Sequence, residues 1–155
     1  MEDQRKEINM EIDLNYIKGM LNVWKQSEKP SITINDLAAN GFSIYSEDKR
    51  STNDKFIFHY QLLVENQLIS NMQLERATMK NTGIGLVHNN CTLTIVDLRL
   101  TQLGHDFAST LDNREVFERL KSDFKDAPFK IIFESGRKLI EHYFKKKLDD
   151  ITEEG

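Results

Sequence analysis

Apolar residues recur along residues 10–25 at Ile12, Tyr16, Met20, Val23 and Trp24, with Leu14, Ile17 and Leu21 beside them. This is helical spacing with a wide buried face. Gly19 interrupts it at a cost of about 1 kcal/mol relative to Ala, which close packing would offset. Pro30 ends the region. Residues 31–35 alternate about Ile32 and Ile34 as a short strand would, while residues 34–40, stopped by Gly41, also fit a short helix. The pattern leaves both open. A polar, turn-rich stretch follows, EDKRSTNDK at residues 47–55, in which Thr52, Asn53 or Asp54 can cap the next helix. That helix is FIFHYQLLVEN, residues 56–66.

Leu68 and Ile69 open a strand that Met72, Leu74 and Arg76 continue in alternation. Residues 78–90 hold Asn81, Gly83, Gly85, Asn89 and Asn90 and read as a hairpin tip. Residues 92–100 return through Leu93, Ile95, Leu98 and Leu100, with Asp97 as a break. Thr101 is placed to cap a further helix, in which Gly104 permits close approach to the sheet. Asp112 and Asn113 break that helix, and residues 114–125 form the next, with Val116, Phe117, Leu120 and Phe124 on one face. Pro128 suits the first turn of a final helix carrying Ile131, Ile132, Gly136, Leu139, Ile140, Tyr143, Phe144 and Leu148. The succession predicts an α+β fold: a winged helix-turn-helix core with a two-stranded wing over residues 1–113. A C-terminal helical extension for packing or dimerisation follows over residues 114–151, and then a tail, 152–155.

With these segments in place, the chain resembles the bacterial and phage family catalogued as domain of unknown function 2513. The resemblance rests on HYQLLVENQLI, DLRLTQLGHDFASTLDN and KLIEHYFKKKL, and covers roughly residues 10–151. It implies a winged helix, with no established activity and a phage or mobile-element setting. Related winged helices often place Gly just before the Leu-Ile pair; Gln67 stands there in this chain. Either Asn66 or Gln67 must then take the left-handed conformation, and Asn is the better suited of the two.

Composition adjusts this picture. Of 155 residues, 39% are hydrophobic, enough for a core, and no run approaches the roughly 20 apolar residues of a membrane span. The N-terminal MEDQRKEINMEID lacks the apolar block of a signal peptide, and the single Cys91 fits a reducing compartment, so a cytoplasmic protein is expected. The formal net charge of -4 weighs against a dedicated DNA binder, whose affinity comes chiefly from phosphate contacts. A basic patch could still serve. Arg50, Asn53, Lys55 and His59, leading into and along the 56–66 helix, are candidate contacts to double-stranded DNA. Arg76 and Lys80 in the wing join them, with His88, Asn89 and Asn90 at its tip. Glu47, Asp48 and Asp54 are interleaved with the first group and cancel its charge.

The 56–66 helix itself argues against groove reading. It is apolar nearly all round, and Ile57, Phe58 and Leu62 lie away from the face that Phe56, Tyr60 and Leu63 give to the core. Left bare they would form a patch of the kind that marks a protein interface. They are therefore candidate interface residues, as are Leu139 and Tyr143 of the last helix, where a homodimer is expected. His59, His88, His105 and His142 show no metal-ligand spacing, and no nucleophile triad, phosphate loop or paired-carboxylate motif is recognisable. The sequence thus supports no metal, cofactor or catalytic site. It yields two functional expectations: a non-enzymatic DNA-binding or regulator-like protein, or a winged helix that binds protein without DNA.

Overall fold

A computed structural model describes residues 10–88 and 90–153. Helix α1 (Leu14–Lys25) starts where the Asp13 carboxylate accepts the Tyr16 N–H at 3.1 Å, and it buries Leu14, Ile17, Met20, Leu21 and Trp24. The glycine in its pattern marks a close approach: a Cβ on Gly19 would come within 2.6 Å of the Phe42 ring. In the next segment the helix reading holds, and of the strand over residues 31–35 only a single bridge at Ile32 remains. Ile32 bridges antiparallel to Leu98, and α2 (Ile34–Ala39) starts at once behind a capping box of Thr33 and Asp36. Helix α3 (Asp54–Glu65) begins with the Asn53 side chain accepting the Phe56 N–H at 3.3 Å.

After α3 the left-handed residue is Gln67, at φ 56, and not Asn66, at φ -90. The reason lies in its side chain. Gln67 Oε1 accepts the Ala77 N–H at 2.8 Å, while Nε2 donates to the Ala77 and Val64 carbonyls at 3.2 and 2.8 Å. These bonds offset the roughly 1–2 kcal/mol that a non-glycine residue loses in that conformation. They also strap the loop after β1 to the end of α3.

Strand β1 (Ile69–Asn71) pairs antiparallel with a later strand, Leu98–Leu100, in the register Ile69↔Leu100. Between them lie β2 (Ile84–Val87) and β3 (Asn90–Leu93), an antiparallel pair of their own, so the later strand is β4. The expected continuation of β1 through Met72, Leu74 and Arg76 does not occur. Asn71 turns the chain instead: its Oδ1 accepts the Gln73 and Glu75 N–H groups at 3.1 and 3.3 Å, and its Nδ2 donates to Glu75. Such local bonds compete directly with a strand ladder. The expected tip over residues 78–90 also contracts. Thr78 and Asn81 close a turn on one another, and Gly83, Gly85 and Leu86 lie in the paired hairpin or at its entrance. Asn89, expected at the tip, falls outside the described residues.

Helix α4 (Gln102–Asp112) is capped by Thr101, whose hydroxyl accepts the Gly104 N–H at 2.9 Å and donates to the Gln67 carbonyl at 2.7 Å. A Cβ on Gly104 would sit 1.9 Å from the Leu68 carbonyl oxygen, so only glycine lets α4 meet β1 this closely. Asn113 ends α4 and caps α5 (Arg114–Asp123), accepting the Val116 N–H at 3.1 Å. Helix α6 (Phe129–Glu153) starts at Pro128, whose carbonyl accepts the first helical N–H groups. It runs to Glu153, through the segment expected to be a frayed tail.

The described chain is thus α+β, with six helices and two small two-stranded antiparallel sheets. One apolar cluster extends from Leu14 to Ile132 and draws on all four strands, on α1 to α5 and on the start of α6. The first turns of α6 join it through Phe129 and Phe133, whose rings lie 5.8 and 5.0 Å from Phe107. From Glu141 onward every described residue of α6 is exposed.

Candidate nucleic-acid and protein interfaces

The polar residues at the start of α3 are consumed by the fold. Asn53 spends its side-chain oxygen on the helix cap. Lys55 Nζ reaches Asp13 at 2.9 Å and lies 5.0 Å over the Tyr16 ring, tying α3 to the start of α1. His59, expected as a DNA contact, is 1% exposed. Its Nε2 accepts the Asp13 N–H at 2.9 Å and its Nδ1 donates to the Lys55 carbonyl at 2.7 Å. That pair of contacts fixes the neutral Nδ1–H tautomer, because one ring nitrogen must accept while the other donates. His59 is therefore a clamp between α1 and α3, out of reach of any nucleic acid. It stacks obliquely on Tyr16 at 4.8 Å, and Tyr16 meets Phe42 edge-on at 5.0 Å.

The electrostatics follow from this enclosure. Burial depresses the His59 pKa, and the bond to the Lys55 carbonyl and the Asp13 charge only partly oppose it. Burial also favours protonation of Asp13, yet the Lys55 ammonium and the Tyr16 N–H outweigh it and hold the carboxyl below its usual range. The Tyr16 phenol, covered and beside that carboxylate, is pushed up to about 12. Its hydroxyl is buried without a hydrogen-bond partner among the described residues.

The other DNA candidates stand free. Arg50 is exposed beside Lys49 in the turn between Tyr45 and Thr52, which bridge one another antiparallel. Arg76 and Lys80 are exposed on the loop before β2. None of the four cations makes an ion pair among the described residues. The Tyr45 hydroxyl lies beside the Cys91 thiol of β3, which raises its pKa, so the 45–52 turn and the β2–β3 hairpin are neighbours.

The expected apolar patch on α3 is largely closed within the monomer. Ile57 and Leu62 are half-buried against the core, and Phe58 is half-buried with its ring edge-on to His59 at 5.1 Å. Bare apolar side chains lie about the hairpin, at Leu74, Val87 and Ile95, and in a row on α6. Tyr143 is at the margin of exposure, while Phe144, Leu148 and Ile151 are 56, 59 and 61% exposed. Leu139, the other candidate there, packs partly against the core. A groove of about 860 Å³ runs between α4 and α6, its apolar lining drawn from Leu103, Phe107, Phe133, Ile140, Tyr143 and Phe144. Phe144 and Leu148 lie in the helix whose periodicity predicts packing or dimerisation, but the interface candidates there are Leu139 and Tyr143, and Ile151 lies where a frayed tail is expected.

Comparison of the chain with protein-family profiles, with curated proteins and with solved structures yields no match. Among the described residues no helix is long and apolar enough to cross a membrane.

Proposed function

We propose that this protein is a winged-helix assembly module, acting through protein contacts at α4 and α6 and not by inserting α3 into a DNA groove. The element order supports the winged-helix reading: α1, an Ile32 bridge, α2, α3, β1, a hairpin and β4, with β4 paired on one side to β1 and on the other to Ile32. The observation that carries the functional reading is the state of α3. Its reading groups are engaged internally: Asn53 in the cap, Lys55 with Asp13, His59 under α1. A groove reader presents such groups to base edges. Leu74, Val87 and Ile95 are exposed singly about the hairpin, whereas the exposed Phe144, Leu148 and Ile151 follow one another along the last helix, in the extension expected to serve packing or dimerisation.

A DNA-binding reading retains one supporting observation, the exposed cations Lys49, Arg50, Arg76 and Lys80, which make no ion pair among the described residues. Contact through these would be a backbone contact, sequence-independent and steeply salt-dependent. Titration of a labelled generic duplex at low salt, followed by anisotropy, separates the two. The assembly module leaves the duplex unbound, and Arg50→Ala and Lys55→Ala change nothing. Salt-dependent binding that falls with Arg50→Ala and Arg76→Ala would overturn the proposal in favour of DNA.

A further inference from the structure

We infer that the bare half of α6 is completed by a second copy of this chain, lying antiparallel across it. This rests on the assembly reading and names the partner. Phe133, Gly136, Ile140, Phe144, Leu148 and Ile151 recur at intervals of three and four residues, which places them on one helical stripe. The first part of that stripe is what docks α6 on the body. Phe133 meets Phe107 of α4, and a Cβ on Gly136 would lie 3.2 Å from both Leu120 of α5 and Thr110 of α4. Beyond Ile140 the same stripe continues with nothing over it. Residues 141–153 extend about 20 Å past the last packed turn. Leu103 of α4, 40% exposed, borders the groove where the covered and bare parts meet.

Charge selects the occupant. Residues 137–147 hold Arg137, Lys138, Lys145, Lys146 and Lys147 against the single acid Glu141. Residues 149–153 hold Asp149, Asp150 and Glu153 and no cation. A complementary partner must carry an apolar helical stripe with an acidic segment beside the basic one, in reverse order. The α6 helix of a second copy, run antiparallel, is such a partner: each acidic end lies along the other copy's basic stretch. A parallel arrangement sets like charge on like. One self-complementary patch used twice also closes the assembly at two copies. Apolar contact then supplies the affinity and the charge pattern the orientation.

The test uses the full chain in sedimentation equilibrium over a wide concentration range. The expected result is a reversible monomer–dimer equilibrium. Leu148→Asp and Phe144→Asp should give monomer at every concentration with unchanged far-UV circular dichroism, since neither side chain supports the monomer core. Asp149→Lys with Asp150→Lys should weaken the dimer by roughly tenfold at low salt and less at high salt. Thr152→Cys should not cross-link to its own copy in the antiparallel dimer, and buried Cys91 does not interfere. A wild-type chain that stays monomeric, or a dimer that survives Leu148→Asp, overturns the inference. Ready self-cross-linking of Thr152→Cys overturns the antiparallel arrangement. The duplex titration on the same samples reads the parent proposal separately: a monomer that ignores DNA refutes the second copy alone, whereas a monomer that binds DNA through Arg50 refutes both.

Discussion

Helix α3 and the outer half of α6 are of similar length, the first apolar nearly all round and the second along one stripe, yet they meet opposite fates. Five residues of α3 are buried, including Phe56 and Tyr60 at 0% exposure, and its polar groups clamp α1. The outer half of α6 buries none, and its apolar groups stand in solvent. The difference lies in what the flanking chain supplies. α3 is bracketed by α1 through His59 and Lys55, and by the loop after β1 through Gln67 and Ala77. α4 and α5, which hold the start of α6, are 11 and 10 residues long against its 25, so they run out beneath it. An apolar helix is an internal element where neighbours reach it and an interface where they do not.

The sharpest way to break this comparison is to truncate one apolar side chain in each helix. Leu63 is 0% exposed in α3, and Leu63→Ala should cost about 2–5 kcal/mol through lost burial and a cavity. Leu148→Ala should change the stability of the monomer by no more than about 0.5 kcal/mol, as other exposed positions do. Urea unfolding of dilute protein measures both. If the two substitutions cost alike, the outer half of α6 is folded against the body and the contrast is lost.

A smaller effect sharpens the internal side of the comparison. The folded pKa of His59 lies below its ordinary value of 6.5, because burial disfavours the imidazolium. Between those two pKa values the unfolded chain binds the extra proton and the folded chain does not. The His59 contribution is therefore whole above about pH 6.5 and is lost as pH falls toward the folded pKa. Protonated Nε2 could no longer accept the Asp13 N–H, so the start of α1 should loosen first. Unfolding midpoints should fall with pH across this window, and His59→Gln should flatten that fall. An unchanged slope in His59→Gln would show that the clamp is not the titrating element.

Much of this was readable from periodicity. The cap at Thr101, a cap among Thr52, Asn53 and Asp54, the break at Asn113 and the close approach at Gly104 follow from short-range rules, because a few neighbouring residues decide them. What escaped was decided at long range. Nothing near His59 in sequence announces that Asp13, 46 residues earlier, will donate its N–H to the ring. Gln67 took the left-handed position that composition gives to Asn66, because Ala77, ten residues on, pairs with its side chain. One exception is local: the expected continuation of β1 fails because Asn71 satisfies the next backbone groups itself. For the candidate interface, the period is plain through Leu148, while Ile151 falls where a frayed tail is expected; whether a stripe is covered depends on where the helices beneath it end.

The smallest effect concerns Lys55, where the DNA-facing and fold-holding readings of α3 diverge most directly. Its ion pair with Asp13 is surface-placed, the two side chains being 47 and 37% exposed, so the pair should contribute only about 0.2–1 kcal/mol. Lys55→Met keeps an apolar stem near the Tyr16 ring while removing the charge. It should lower the urea midpoint slightly at low salt and less at high salt, because screening already weakens the wild-type pair. Asp13 should then titrate higher, having lost the ammonium that holds its carboxyl down. Duplex titration should be unaffected, since Lys55 is spent on Asp13. A Lys55→Met chain of unaltered stability that loses affinity for DNA would return the residue to the surface role its position in α3 first suggests, and would make α3 a reader after all.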